Sequence, residues 1–248
     1  MGKELHATWL GRVPYVDAWR LQEAVATRVR EGGAERLLLL EHDPVYTIGR
    51  RGTTDHLLVG PDVLRSDGAT VYRVDRGGDI TYHGPGQLVG YPVTEFGEGA
   101  DLVAYVRAIE DALRDALLSY GVASRIERGK TGVWVDLPDG RPAKIAAIGV
   151  RISRGVTTHG FALNVSTDLA AFESVLPCGF QHEVASLRRL GVSADVSEVG
   201  ERCARALAAR LGRALVVDTS VEPPRDAEIP TDAPVRTAFD LLAEPVPA

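Results

Sequence analysis

The sequence predicts one α/β (α+β) domain in which a mixed, largely antiparallel sheet is flanked by helices. Strand-like and helix-like stretches alternate through the first half of the chain, the pattern of a sheet with helices packed on it. Four strand-like runs then follow one another between residues 123 and 165 with only turn residues between them, as hairpins do. Two long segments, Asp101–Tyr120 and Val196–Leu211, carry apolar residues at spacings of three and four. The 248 residues, 45% hydrophobic and 25% charged, are enough for one full core.

Taken in order, Leu5–Arg12 reads as a first strand. Pro14 suits the first turn of a helix, where a missing N–H costs nothing. Val16, Trp19, Val25 and Val29 mark the apolar face of that helix, and Gly32-Gly33 ends it. Arg36–Glu41 is a continuous leucine run, as in a strand buried on both faces. Pro44–Gly49 is another strand, and Pro61–Arg65 a short helix. Ala69–Asp75 and Leu88–Val93 read as strands joined by a long polar bend. In the Asp101–Tyr120 helix the stripe is Leu102, Val106, Ile109, Leu113 and Leu117, and Gly121 closes it. Strands follow at Ala123–Arg128, Gly132–Asp136, Ala143–Ile152 and Thr157–Val165. Short helices are predicted at Asp168–Leu176 and Val184–Leu190. The Val196–Leu211 helix stops at Gly212, and Ala214–Val217 is a last short strand.

From Val221 the composition changes. The remaining 28 residues hold six of the fourteen prolines and six acids against two bases, so they carry -4 of the net charge of -6. Such a segment buries too little apolar surface to order itself. The expected division is therefore a catalytic-size domain over 1–218 and a flexible tail over 219–248.

A net charge of -6 gives no reason to expect a nucleic-acid partner. No apolar run approaches the ~20 residues a membrane span needs, and the N-terminus does not read as a signal peptide. Two cysteines, Cys178 and Cys203, are too few for a disulfide framework, and a reducing cytoplasm is the expected setting. Six scattered histidines give no metal-ligand cluster, so no metal is expected.

Chemistry concentrates in the polar bend Arg76-Gly77-Gly78-Asp79-Ile80-Thr81-Tyr82-His83-Gly84-Pro85-Gly86-Gln87-Leu88. Four glycines and a proline let the backbone turn sharply or approach something closely. The spacing of its glycines misses the dinucleotide fingerprint by one residue, and no helix follows. Cys178 lies between Pro177 and Gly179, on a turn and not on a packed face, whereas Cys203 falls on a helix stripe and reads as core. Lys144 is either a surface lysine of its strand or, if that strand is central, an ammonium whose pKa burial lowers. His83 and His159 each precede a glycine near a strand end. Either could donate a hydrogen bond to a substrate or tie a turn together.

Together these stretches are more specific than any one alone. Arg76-Gly77-Gly78-x-x-Thr81-Tyr82-His83-Gly84-Pro85-Gly86-Gln87 closely resembles the signature of the lipoyl(octanoyl) transferases of lipoate biosynthesis. The strand Ala143-Lys144-Ile145, the strand Thr158–Asn164 and the turn Pro177-Cys178-Gly179 match the family's other blocks over about residues 38–215. The resemblance implies the fold of the biotin/lipoate protein ligase catalytic domain. It also implies that Cys178 is the acyl-accepting nucleophile and Lys144 its partner in a Cys–Lys dyad. Arg76, Gly77, Gly78, Asp79, Ile80, Thr81, Tyr82 and His83, with Ala147, Ile148, Gly149, Gly160, Phe161 and Ala162, are implied to line the acyl site.

The implied donor is octanoyl-acyl carrier protein. The implied acceptors are lipoyl domains of 2-oxoacid dehydrogenase complexes and the glycine cleavage H protein. No cofactor or ATP is implied, and a monomer is expected. Backbone N–H groups around Lys144–Ala146 or at Gly77-Gly78 are candidate oxyanion donors. Both protein substrates are acidic in this family, which makes Arg50, Arg51, Arg151, Arg154, Arg188 and Arg189 candidates for a docking rim. ATP-dependent ligases on the same fold lack the Gly84–Gln87 bend and tend to carry serine and glycine after the lysine, where this chain has Ile145-Ala146-Ala147.

Overall fold

The structure, a computed structural model, describes residues 3–176 and 183–218. Cys178 and the proline-rich tail lie outside the described residues. The chain forms β1 (Glu4–Arg12), α1 (Tyr15–Arg30), β2 (Glu35–Glu41), β3 (Val45–Ile48), α2 (Pro61–Ser66), β4 (Thr70–Arg73), β5 (Ile80–His83) and β6 (Gln87–Val93). There follow α3 (Leu102–Leu118), β7 (Arg125–Glu127), β8 (Lys130–Asp136), β9 (Pro142–Ser153), β10 (Val156–Asn164), α4 (Val196–Arg210) and β11 (Ala214–Val217).

Eight strands make one sheet in the order β11-β1-β2-β6-β10-β9-β8-β7, and β4-β3-β5 make a second, smaller one. The pairs β1–β11, β1–β2 and β3–β4 are parallel and the others antiparallel, the mixed and largely antiparallel sheet the sequence predicts. The leucine run explains itself here. In β2, Leu37 and Leu39 join the core beneath α3 and α4, while Leu38 and Leu40 join the core beneath α1. Strand residues alternate faces, so only a strand covered on both sides uses four leucines in a row. Each leucine fully buried contributes roughly 2 kcal/mol.

The helices start where capping side chains sit. Asp101 accepts from Val103 N at 2.7 Å and Asp195 from Ser197 N at 2.8 Å, each satisfying an orphan N–H of the first turn. Cys203 is 1% exposed within the α4 core, and burial pushes its thiol up to about 12, so it is chemically inert.

Three local expectations are corrected. The polar bend is not one loop between two neighbouring strands. Ile80–His83 forms β5 within it, and the strands on either side belong to different sheets. Alternation of Ile80, Thr81, Tyr82 and His83 carried that signal, but the surrounding glycines masked it. Val184–Leu190 is not a helix, because Val184 bridges Lys144 as an extended residue and only Arg188–Leu190 coils, as a 3-10 turn. Finally, His159 is not at a strand end but in the middle of β10, with φ of 55°.

Candidate active site

A cavity of about 810 Å³ lies between β5, with the loop before it, and the β9–β10 part of the large sheet. That volume suits a small-molecule or acyl-chain site. One wall is apolar and narrow: Ala146, Ala147, Ile148 and Gly149 from β9, and Gly160, Phe161 and Ala162 from β10. Its glycines are required. A Cβ on Gly160 would stand 2.2 Å from Gly90 O and 2.5 Å from Pro92 Cδ. A Cβ on Gly149 would stand 2.8 Å from Gly77 O, where the opposite wall crosses the sheet.

The opposite wall is polar. Arg76 is buried and donates to Thr47 O at 2.6 Å, to Thr47 Oγ1 at 2.9 Å and to Gly77 O at 3.0 Å. Burial lowers its pKa against the pull of Tyr15, Tyr91 and Asp79. Gly77, Gly78, Asp79, Ile80, Thr81 and His83 also line the cavity. Tyr82 does not lie in that wall. Its neighbours on β5 alternate faces, and its ring packs against Tyr46 and Phe172 in the core of the small sheet. Gly84-Pro85-Gly86 then turns the chain, with Gln87 N on Gly84 O at 3.1 Å and Gly86 at φ of 80°, as a turn with proline second and glycine third requires.

Lys144 faces this cavity half-buried on β9, an interior strand of the sheet. Its position is fixed from several sides. Lys144 N donates to Glu183 O at 2.8 Å, and its carbonyl accepts from Ala185 N at 2.9 Å. Its Nζ stands 4.9 Å from the Trp134 ring centroid, over the face of the indole. Gly132, with φ of 121°, lets β8 close on β9, since a Cβ there would stand 2.5 Å from Ala146 O, and Gly132 N is held by the buried Glu110 at 2.9 Å.

Both residues that flank 177–182 are anchored on the cavity wall. Leu176 N donates to His56 O at 2.8 Å, and Glu183 carries the carbonyl that accepts from Lys144. His56 and Lys144 both line the cavity, and His56 Nδ1 lies 2.6 Å from Asp79 Oδ2.

Two candidate oxyanion donors are unavailable. Lys144 N–H is spent on Glu183 O, and Gly77 N–H on Val150 O at 3.1 Å. The arginine rim also divides. Arg151 pairs with Asp75 at 3.0 Å and Glu23 at 3.3 Å, and Arg189 with Glu183 at 3.0 Å. Arg51 and Lys130 line the cavity, and both are exposed. Lys130, Tyr15, His56 and Tyr91 were not singled out by the sequence. Tyr15 opens a helix and Tyr91 lies in a buried strand, so nothing in their pattern separates them from core.

Behind the polar wall, His42 donates from Nδ1 to Val13 O at 2.7 Å and accepts at Nε2 from Tyr91 OH at 2.7 Å. Burial pushes its pKa down to about 4. His159 Nε2 lies 2.7 Å from Asp75 Oδ1, and its backbone N donates to Gln22 Oε1 at 2.7 Å. Among the described residues no group of three His, Cys, Asp or Glu side chains could hold a metal ion, and no helix is long and apolar enough to cross a membrane.

Residues 14–208 match the family model described as the lipoyl protein ligase A/B catalytic domain. The chain belongs to that family. An octanoyltransferase of Solibacter usitatus is 51% identical over 199 residues, spanning 79% of this chain and 88% of the relative. An octanoyltransferase of Mycolicibacterium gilvum is 44% identical over 222 residues, spanning 88% and 90%. The bi-partite lipoate protein ligase of Thermoplasma acidophilum shares the family's fold, with a TM-score of 0.74 over 89% of each chain at 21% identity. The eight-stranded sheet and its flanking helices are thus the family's catalytic architecture.

Proposed function

We propose that the protein transfers an octanoyl group from octanoyl-acyl carrier protein to the target lysine of lipoyl domains, without ATP, through a thioester on Cys178. The acceptors are the lipoyl domains of 2-oxoacid dehydrogenase complexes and the glycine cleavage H protein. The names of relatives at 44–51% identity support octanoyl transfer. The observation that carries the chemistry is Lys144. It is held half-buried in the wall of an acyl-sized cavity, on a backbone clamp that also anchors the re-entry of the segment bearing Cys178.

In the first step the Cys178 thiolate attacks the octanoyl thioester and releases the carrier thiol. One thioester replaces another, so the step is nearly isoenergetic. In the second, the target amine attacks the acyl-Cys178 carbonyl, a C–N bond forms and the C–S bond breaks. An amide replaces a thioester, and the reaction runs downhill with no nucleotide. Lys144 as a cation stabilises the thiolate. Lys144 as a neutral amine takes the proton that the attacking nitrogen must lose. The apolar wall holds the chain, where about six methylenes contribute roughly 5 kcal/mol. Arg51 and Lys130 at the exposed rim suit acidic carrier and acceptor proteins.

The test is an intact mass after incubation with octanoyl-acyl carrier protein and no ATP, on the wild type and on Cys178→Ala. One octanoyl group on the wild type alone, discharged by a lipoyl domain, is the expected result. Target modification only with free octanoate and ATP would replace this reading with a ligase.

A further inference from the structure

A run of buried hydrogen bonds decides which nitrogen of His83 carries its proton. Asn164 Nδ2 donates to Ala185 O at 3.0 Å, since a backbone carbonyl can only accept. Asn164 Oδ1 is therefore the acceptor for Gln87 Nε2 at 2.9 Å, and the same Nε2 donates to Tyr82 O at 3.2 Å. Gln87 is thereby fixed with Oε1 toward His83, 2.7 Å from Nδ1. The His83 proton sits on Nδ1. Nε2 carries only a lone pair, and His83 lines the cavity.

The ring stays neutral. Burial, His42 and Arg76 push its pKa down to about 3, with Gln87 opposing and His159 adding to the shift. Tyr15 of α1 stacks over it with centroids 6.2 Å apart. His83 therefore cannot donate to a substrate at neutral pH, which reverses one of the two roles its sequence position suggested. It can only accept. The relay ends on Ala185, whose own N–H clamps Lys144 O at 2.9 Å, so His83 and Lys144 are set on one hydrogen-bonded frame.

An acceptor repels a carbonyl oxygen or an oxyanion, and an acyl chain has no proton to offer it. We propose that His83 Nε2 accepts a hydrogen bond from the ε-amine of the incoming target lysine and turns the amine lone pair toward the acyl carbonyl. This rests on the acyl-transfer reading above. His83 gains no proton in the step. One amine N–H stays hydrogen-bonded to Nε2, the other proton passes to Lys144, the C–N bond forms and Cys178 leaves as thiolate. His83 thus touches the nucleophile and acts only in the second half-reaction.

The test separates the half-reactions by rapid-quench mass measurement on folded, thermally matched variants. His83→Ala should form the octanoyl adduct within about threefold of the wild-type rate and discharge it to a lipoyl domain about tenfold more slowly, the loss of roughly one hydrogen bond. His83→Gln, which keeps an acceptor near Nε2 but no basic ring, should restore discharge to within about threefold. The 15N shifts of His83 in the free protein should show the proton on Nδ1 down to about pH 4. Slowing of adduct formation by His83→Ala would overturn the proposal, since the bound donor would then belong to the carrier. Undiminished discharge, failure of His83→Gln to rescue, or a proton on Nε2 would also overturn it. An absent adduct on the wild type would instead remove the acyl-transfer reading itself.

Discussion

The two walls of the cavity are built in opposite ways. The β9–β10 wall works by what its residues lack: alanine and glycine side chains leave a slot, and a glycine at 160 lets two strands close on each other. The wall from Arg76 to Gln87 works by what its residues hold, with Arg76, the Nδ1 of His83 and Gln87 fixed by buried hydrogen bonds. Substitutions in the first wall should therefore read as steric effects, independent of pH. Substitutions behind the second should read as protons and charge.

The largest steric effect is expected at Gly160. An alanine there would place Cβ 2.2 Å from a backbone oxygen of the neighbouring strand, which cannot move without opening the sheet. The expected destabilisation is about 3 kcal/mol or more, a fall in Tm on the order of 10 °C for a domain of this size. A calorimetric melt within ~2 °C of the wild type would show that the strands yield more easily than their geometry implies.

Away from the reacting centre, a large charge effect is expected at His42. Its folded pKa of about 4 lies below the ordinary value of 6.5, so the unfolded chain binds more protons in the acid range. A group depressed in this way contributes stability that is full above pH ~6.5 and is lost as pH falls through about 4. At a difference of some 2.5 units the contribution is roughly 3 kcal/mol. Urea unfolding of His42→Gln, compared with wild type at pH 7 and pH 4.5, should therefore show a smaller acid loss in the variant, even if its stability at pH 7 is lower. Equal slopes would mean that His42 is not the neutral buried ring described here. The same pair of measurements on Gly160→Ala should give parallel pH profiles, because the substitution adds no titrating group and leaves His42 in place.

The overall architecture was legible in the sequence because it rests on periodicity, whereas the residues of the apolar wall were named by the family resemblance and by no spacing. Leu37–Leu40 announced a strand covered on both faces, and the stripes of α3 and α4 announced their helices. For Lys144 the sequence left a surface residue and a buried ammonium open, and the structure places it half-buried on an interior strand. The polar wall was legible only as composition. Tyr82 sits in a run of residues assigned to the cavity, yet a strand sends alternate side chains to opposite faces, and the strand itself was hidden among glycines. The role left to His83 depends on Asn164, Gln87 and Ala185, which meet through three separate strands or bridges and share no local pattern. Long-range hydrogen bonds of this kind have no spacing to read.

The smallest effect expected is on chain-length choice. Ala147 lies in the apolar wall, paired with Ala162 across the β9–β10 ladder. Replacing it by leucine fills part of the slot and leaves the Lys144 clamp and the His83 relay untouched. A long acyl chain then loses room that a short one never used. Discrimination by a few methylenes in an apolar pocket amounts to only ~1–3 kcal/mol. Ala147→Leu should thus lower adduct formation with eight-carbon donors about tenfold relative to four-carbon donors, with discharge to the lipoyl domain little changed once the adduct exists. If both donors slow equally, the added bulk disturbs the reacting end instead, and the apolar wall is not what measures the chain.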